Sequence, residues 1–354
     1  MSSNCTVKFR IFEPMMFRGP GEFDPSARGL QARAVSLMLP SPSTIAGTLS
    51  TVLLEKGLLH PNKIEEDWTK KYLSILGPDV LIRCPFLSAN NKFYVEDRII
   101  SALLPIEDIS LKAKLILEAI LDSDSNASDI VKKLQILEEN IENLKDKLNI
   151  KTISMSEKVG IGLGVRNEAK KVVKKGFIYS ESMVDYIELG YPIEVLGDIS
   201  GQICKKFNEK SLRVPVRFGG EGRLSLMEIS GKTEALNEIR HHIWRKKMRF
   251  TGELALYLAS PALFRCGDTL IERVKKWGES KGLEFIYLYG ETQILGGGYS
   301  LDIRRRKPLY TALKPGSIIF MKVRECDLVE LYWKGVGESG VPIGYGTIIP
   351  VPID

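Results

Sequence analysis

The residues of this sequence that could do chemistry are mostly cations, which gather in glycine-rich turns and at the tips of predicted hairpins. Arginine carries a planar, permanent charge that fits a phosphate, and glycine lets a phosphate or a backbone approach closely. Cations along a backbone and rings stacked on bases hold single-stranded RNA, so the pattern predicts an RNA-binding surface. The aromatic residues near these cations are Phe17, Phe218, Trp244, Phe250, Tyr299 and Tyr310.

The predicted contact residues combine these cations with small residues from two turns. A solvated surface is the ordinary explanation for any one cluster, but the number of clusters favours a shared anionic partner. The predicted RNA-binding residues are Arg18, Arg28, Ser43, Thr44, Arg166, Lys170, Lys171, Lys174, Lys175, Arg217, Gly219, Gly220, Arg223, Arg245, Lys246, Arg304, Arg305 and Arg306.

The turn between Arg217 and Arg223 has three glycines in four positions, and a similar turn recurs at residues 344–347. It precedes a predicted strand and does not open a helix, so it is not the phosphate loop of a nucleotide hydrolase. Its glycines suit close packing of the backbone at least as well as RNA contact. The two arginines are therefore the stronger candidates for binding.

A second candidate anion site is the start of a predicted helix over residues 42–56. Ser41 suits the N-cap position and Pro42 suits the first helical position. The free amide groups and the positive dipole end of this helix would lie beside Arg18 and Arg28. The alternative is a capped core helix whose neighbouring arginines are only solvated.

Few residues fit a catalytic or metal centre. The sequence lacks a nucleotide phosphate loop and an H-E-x-x-H motif. The adjacent His241 and His242 would diverge by about a quarter turn on a helix, so they do not share a metal easily. We predict no catalytic residue, metal or cofactor; a histidine acting as a base in RNA cleavage is the alternative.

The composition is that of a globular protein, with 44% hydrophobic and 27% charged residues in a chain of 354, which is long enough for two domains. A formal net charge of +6 permits an anionic partner without requiring one. The five cysteines stand singly, so we expect no disulfide framework, no cysteine zinc site and a reducing, cytoplasmic setting. No apolar run approaches the roughly 18 residues of a membrane helix, and no membrane partner is predicted.

The order of predicted elements repeats once along the chain. Each half reads β-α-β-β-α-β, the order of a ferredoxin-like unit. We therefore predict an α+β protein of two tandem ferredoxin-like (RRM-like) domains, residues 1–232 and 233–354, with residues 233–249 helical. Leucine and isoleucine at a 3-4-3-4 spacing predict a helical hairpin inserted in the first domain at residues 110–149.

Several short stretches, in this order, resemble the RAMP proteins of CRISPR effector complexes, and among them the third-subunit family of the type III-B (Cmr) complex. The resemblance extends over essentially the whole chain outside residues 110–149. The matching stretches are residues 12–18, 40–47, 159–180, 218–223, 259–264, 314–317 and 344–347.

The resemblance implies a non-catalytic subunit that grips the 5′ handle of a CRISPR RNA and meets target RNA through the guide duplex. It implies contacts with the large cyclase-bearing Cmr subunit and with the backbone RAMP subunits, which would cleave the target. It identifies residues 344–347 with the glycine-rich loop of RAMP proteins. It also identifies a hairpin near residues 159–185 with the thumb that wedges into the guide–target duplex. The helical pair at residues 110–149 departs from the family pattern.

Two other functions fit the same residues. One is a RAMP endoribonuclease that processes precursor CRISPR RNA with His241 or His242 as its base. The other is an assembly protein whose basic loops contact acidic protein surfaces. Cleavage of repeat RNA would identify the first, and the absence of any RNA crosslink would favour the second.

Overall fold

The chain folds into a mixed α/β structure built largely from antiparallel sheets. Within the part described, no helix is both long enough and apolar enough to cross a membrane. The structure is a computed structural model that describes residues 3–19, 33–59, 67–126, 145–166, 170–207, 211–220, 222–245, 247–296, 299–300, 305–306 and 308–353.

Helices and strands alternate irregularly along the chain. The main helices are α1 (Pro42–Glu55), α2 (Trp68–Leu76), α3 (Ile109–Asn126), α4 (Ala235–His242), α5 (Leu270–Glu279) and α6 (Leu328–Lys334), with short 3-10 helices at Ile106–Asp108, Ile187–Leu189, Gln202–Phe207 and Val341–Ile343. The strands are β1 (Asn4–Ile11), β2 (Arg33–Ala34), β3 (Leu81–Ala89), β4 (Lys92–Asp97), β5 (Ala102–Pro105), β6 (Ser154–Arg166), β7 (Lys170–Asp185), β8 (Ile193–Ser200), β9 (Leu212–Arg217), β10 (Leu224–Ser230), β11 (Arg249–Leu258), β12 (Ala262–Arg265), β13 (Leu283–Tyr289), β14 (Thr292–Gly296), β15 (Tyr299–Ser300), β16 (Arg305–Arg306), β17 (Leu309–Leu313), β18 (Ile318–Asp327) and β19 (Ile348–Ile353).

The two largest sheets share an internal strand order. The first runs β5-β4-β3-β8-β1-β10-β9 and the second runs β13-β18-β11-β19. In chain order, the four strands compared are β1, β3, β8 and β10 in the first sheet and β11, β13, β18 and β19 in the second. In both sheets these strands lie side by side in the order second, third, first, fourth. All neighbouring pairs in these two sets are antiparallel. In both halves a helix, α1 or α5, follows the first strand.

Local signals explain several element boundaries. Asn90 and Asn91, between the apolar runs at residues 80–83 and 92–95, predict a hairpin turn, and both have positive φ in the tight turn between β3 and β4. The sequence predicts a helix over residues 63–76, and helix α2 begins after Asp67, whose carboxylate accepts two backbone amides of the first turn. Residues 63–66 lie outside the described residues. A capping box between Thr269 and Glu272 starts α5.

Strand β8, at the centre of the first sheet, is buried on both faces. All residues of β8 are buried, and neighbouring side chains such as Val195 and Leu196 enter different hydrophobic clusters. One cluster lies beneath α1, and the other is shared with the second sheet, so one continuous core joins the two halves of the chain.

Helix α3, at the start of the predicted insertion, is a core element. Its residues Ile109, Ala113, Ile116 and Ile120 form an apolar stripe at helical spacing within the cluster that includes the second sheet. Residues 127–144, which would hold most of the second predicted helix, lie outside the described residues. The insertion therefore stays a prediction, while its first helix packs on its own chain as expected.

Buried cations tie the halves together. Lys112 on α3 donates to the Asp97 carboxylate and, at 2.9 Å, to the carbonyl of Gly316. Arg83 on β3 donates to main-chain carbonyls at the end of α6, including that of Tyr332 at 2.8 Å. Burial lowers the pKa of Arg83 to about 10, so this guanidinium stays charged at neutral pH and balances the negative end of the α6 dipole.

Two predicted helices are shorter than expected. Helix α4 covers only Ala235–His242 of the predicted 233–249 segment, because Trp244 turns into the core and donates to the carbonyl of Pro350 at 2.6 Å. Arg245, with a φ of 46°, follows, and β11 begins at Arg249. The sequence also predicts a short helix at residues 200–208, and the structure has a 3-10 helix there over Gln202–Phe207.

A long hairpin leaves the first half. Strands β6 and β7 pair from Ser154 opposite Asp185 to Arg166 opposite Lys170, with an irregularity after Ile161. At roughly 3.4 Å per residue, the 13 residues of β6 extend about 40 Å. Strand β2 adds to β7 in parallel.

The expectation of no disulfide is wrong for one pair. Cys5 on β1 and Cys204 in the 3-10 helix are bonded, although 199 positions separate them in sequence. Because β1 and β8 are neighbours and the 3-10 helix follows β8, the fold brings the two thiols together. Single, widely spaced cysteines carry no sequence signal for such a contact.

Reducing the Cys5–Cys204 bond is expected to lower the free energy of unfolding by about 2–5 kcal/mol, since the cross-link restricts the unfolded chain. Urea unfolding with and without reductant measures the difference. A Cys5→Ser variant serves as the control, because its stability should not respond to reductant. Identical midpoints for the wild-type chain in both conditions would contradict the assignment.

Candidate nucleic-acid interface

One cavity of about 310 Å³ lies where the Arg18 segment and the start of α1 meet the second half of the chain. We call it the central cavity. Gly19 in its wall precedes residues 20–32 in the chain. Gly296 and Pro308 flank residues 297–307, whose run of four cations at residues 304–307 the sequence predicts to be a basic excursion between two strands. It is lined by Arg18, Gly19, Leu37, Ser41, Ser43, Trp68, Arg98, Pro261, Leu263, Leu295, Gly296, Pro308, Tyr310 and Tyr345.

The start of α1 lies at this cavity as a cluster of hydroxyls. Ser41 occupies the N-cap position and Pro42 the first helical position, as predicted. The Ser41 hydroxyl, however, makes no hydrogen bond to the helix backbone; it lies 2.9 Å from the Ser43 Oγ and 3.0 Å from the Thr44 Oγ1. Ser43 in turn lies 3.3 Å from the Tyr345 hydroxyl. These side chains can donate to an anion at the helix start.

Three aromatic rings stand together in the wall. Trp68 donates through Nε1 to the Tyr310 hydroxyl at 3.0 Å. Its ring meets those of Tyr310 and Tyr345 edge-on, with centroids 6.4 and 5.6 Å apart. Of the three, the sequence indicated only Tyr310, because Trp68 and Tyr345 lie outside the cation clusters predicted to bind RNA.

A second arginine that the sequence did not indicate faces the same space. Arg98 follows β4, and its Nη2 donates to Glu96 at 2.9 Å. The carboxylate of Glu96 also accepts the backbone amide of Met38 at 3.2 Å. The guanidinium is thereby held in one position at the cavity wall. No pattern of neighbouring cations marks Arg98 in the sequence.

The turn at residues 344–347 carries Tyr345 into the cavity but is otherwise buried. Thr347 is fully buried, and its amide donates to the Ser260 hydroxyl at 2.8 Å. The amide of Cys84 on β3 donates to the Thr347 hydroxyl at 3.2 Å. A side chain at Gly344, where φ is 107°, would collide with the Cys84 sulfur. Tyr345 is therefore the part of this turn that reaches the central cavity.

The glycines of the Arg217–Arg223 turn serve packing. A Cβ at Gly219, where φ is 81°, would lie 2.6 Å from the carbonyl of Met16. The Gly220 amide donates to that same carbonyl at 2.8 Å. The turn therefore lies against the segment that leads to Arg18, and its glycines permit this close approach.

The two arginines of this turn differ in their surroundings. Arg217 is exposed on β9. The guanidinium of Arg223 is paired with the Glu13 carboxylate and lies 3.2 Å from the Met183 sulfur on β7. Hydrogen bonds from the Leu224 amide and then from Arg223 hold the pKa of Glu13 below its usual value. Arg223 thus braces the turn against the segment that follows β1 and against the long hairpin.

Most aromatic residues that the sequence placed near cations belong to the core. Phe17, Phe218, Trp244 and Phe250 are all buried, and Phe218 stacks on Phe9 at a centroid distance of 4.0 Å. They anchor the segments that carry the cations and offer no exposed face for a base.

The remaining predicted residues belong to two hairpins or lie outside the described residues. Arg166 and Lys170 pair across the end of the long hairpin, and Lys171, Lys174 and Lys175 follow in β7. Arg305 and Arg306 form β16, opposite β15. Arg28, Lys246 and Arg304 lie outside the described residues.

The histidine pair lies on the surface at the end of α4, with Arg245 exposed nearby. The two rings meet edge-on, 4.7 Å apart. His242 contacts Glu238 one turn earlier, with 3.2 Å between Nε2 and Oε2. These contacts are the ordinary ones of an exposed helix end.

Solved structures share this fold. Two cryo-EM structures match with TM-scores of 0.56 and 0.55, each at 22% sequence identity over 89% of this chain and 86% of the other. They show the type III-B Cmr-beta complex bound to cognate target RNA, one of them with AMPPnP.

Sequence comparisons agree with this match. The CRISPR system CMR subunit Cmr3 of Saccharolobus solfataricus is 24% identical over 319 residues, which are 88% of this chain and 85% of the relative. The family model of the CRISPR-associated protein Cas_Cmr3 matches residues 12–97 and 134–352, leaving out a segment that overlaps the predicted insertion. Most of the chain is thus covered by one family pattern, and the chain belongs to the Cmr3 family of CRISPR-associated proteins.

Proposed function

We propose that this chain is a subunit of a type III-B Cmr effector complex and holds the 5′ handle of the CRISPR RNA in the central cavity. The observation that carries the proposal is the meeting of Arg18, the Ser43 hydroxyl and three aromatic rings at one opening. Cations and hydroxyls suit the phosphates of a single strand, and rings suit its unstacked bases. The role is one of binding and assembly, without catalysis.

The architecture supports placing the chain between other subunits. Its relatives include chains of Cmr complexes bound to target RNA. We infer that the chain joins the large cyclase-bearing subunit to the backbone RAMP subunits. The shared strand order of the two sheets supports two tandem ferredoxin-like domains. The long hairpin, which ends between Arg166 and Lys170, would be the thumb that reaches the guide–target duplex.

A Trp68→Ala variant is expected to bind handle RNA more weakly by roughly 1–3 kcal/mol, because it loses a stacking surface in the central cavity. Fluorescence anisotropy with a synthetic handle RNA and the full chain measures the change. Trp277→Ala is the matched control, since Trp277 is partly buried on α5 and does not line this cavity. Equal affinity of the Trp68 variant and the wild-type chain would remove the cavity from the RNA path.

An Arg18→Ala variant is expected to reduce the steepness of the salt dependence of RNA binding by about one unit, because one phosphate contact is lost. The measurement is the slope of log affinity against log salt concentration. Arg324→Ala, which removes an exposed charge on β18 outside the central cavity, should leave the slope unchanged. The same slope in both variants would argue against a phosphate at Arg18.

A further inference from the structure

A second cavity adjoins the central one. Its volume is about 490 Å³, and it shares Arg98 and Leu37 with the central cavity as a common wall. Met155, at the start of β6, stands in its wall, so it opens at the base of the long hairpin. Its size falls within the range of pockets that take small ligands, roughly 300–1,000 Å³. Its lining, as far as the described residues go, includes none of the RNA-binding residues predicted from the sequence.

Two buried donors in this wall have no acceptor among the described residues. They are the Nε of Arg98 and the side-chain amide nitrogen of Gln293. A buried donor without a partner costs stability, so such groups in a cavity indicate a ligand that supplies acceptors. Glu96 fixes the guanidinium from the other side, and Lys314 is engaged by Glu291 at 2.5 Å. The Arg98 guanidinium is thus held in place before any ligand arrives.

The register of β14 sets the spacing between the cavities. Gln293 lines the second cavity and Leu295 lines the central one, and residues two apart on a strand lie on the same face about 7 Å apart. Consecutive unstacked nucleotides of an extended strand span such a distance. Apolar side chains, among them Met38 and Ile153, complete the second cavity and suit the flat faces of a base.

We propose that the second cavity is a subsite for the base of the next nucleotide along the RNA strand held in the central cavity. Gln293 and the Nε of Arg98 donate to acceptor atoms on the edge of that base. Met155 places this nucleotide on the side of the long hairpin, so the strand passes from the central cavity towards the hairpin. The proposal rests on the function proposed above and extends it to a second base.

The test measures binding of handle RNA to the full chain after substitution of Gln293. Both Gln293→Ala and Gln293→Glu are expected to weaken binding about tenfold, since each removes the amide donor. Gln202→Glu is the matched control, because Gln202 is an exposed residue of the 3-10 helix and lines neither cavity. A loss confined to Gln293→Glu would indicate charge repulsion alone and would overturn the hydrogen-bonded subsite.

A scan with single abasic nucleotides locates the base. Removing the base at one position should no longer weaken binding to the Gln293→Ala variant. Removing the base at the adjacent position should no longer weaken binding to the Trp68→Ala variant. Non-adjacent positions, or no effect of Gln293→Ala while Trp68→Ala weakens binding, would overturn the second subsite alone. If neither variant weakened binding, the proposed function itself would fail.

Discussion

Replacing Gly346 by alanine is expected to destabilise the chain by more than about 4 kcal/mol, near the upper limit for a single substitution. A Cβ at this position would lie 1.6 Å from the carbonyl oxygen of Val336. That oxygen belongs to the backbone, which is itself tied to the turn by a 2.8 Å hydrogen bond from the Val336 amide to the Gly346 carbonyl. Neither partner can move aside, so the turn that carries Tyr345 must open.

The control for this variant is Gly57→Ala. Gly57 has a φ of 63° against 64° for Gly346, but no atom lies within 4 Å of its added Cβ. Alanine at Gly57 should therefore cost only the conformational penalty of the left-handed region, roughly 1–2 kcal/mol. Guanidinium unfolding of the two variants isolates the effect of close approach. Equal midpoints would show that the buried turn is not packed as described.

Replacing Asp198 by asparagine is expected to lower the free energy of unfolding by about 2–5 kcal/mol at neutral pH. The buried carboxylate accepts four donors: the Thr6 hydroxyl at 2.6 Å, the amides of Glu234 and Leu236 at 3.0 and 2.7 Å, and the Tyr332 hydroxyl at 3.3 Å. Asparagine would turn an NH₂ group towards two of them. Asp79→Asn is the control, because the Asp79 carboxylate is exposed and accepts the Gln202 amide through one oxygen, which asparagine also has.

The same variant should change the pH dependence of stability. Burial raises the pKa of Asp198 to about 6, although its hydrogen-bond donors favour the charged carboxylate. Between about pH 4 and pH 6 the folded chain therefore keeps a proton on this group that the unfolded chain has lost. This group's contribution to stability is therefore full below about pH 4, falls as the pH rises to about 6, and is constant above. The gap between the wild-type chain and Asp198→Asn should be larger at pH 4 than at pH 7. A gap that narrows on acidification would contradict the raised pKa.

Structural features that depend on one residue or on a few neighbouring residues were predicted correctly from the sequence. The N-cap position of Ser41 and the asparagine turn before β4 depend on local backbone preferences, and the structure has both. The site at Arg18 and Ser43 was indicated for the same reason: loop arginines near a helix start are visible in sequence.

Residues assembled from distant parts of the chain could not be found this way. Trp68, Arg98 and Tyr345 come from three separate elements, and no spacing relates them. The bond between Cys5 and Cys204 has the same origin. Aromatic residues beside cations were misleading because a ring such as Phe218 can anchor a loop to the core as well as bind a base.

The central claim is that the central cavity holds the handle of the CRISPR RNA. Photo-crosslinking of handle RNA to the full chain, with the attached peptides identified by mass spectrometry, tests it most directly. We predict crosslinks to Trp68, Tyr310 or Tyr345, and their loss when the handle is replaced by an unrelated sequence. Crosslinks confined to the long hairpin or to the α4 surface, with none in the central cavity, would contradict the account.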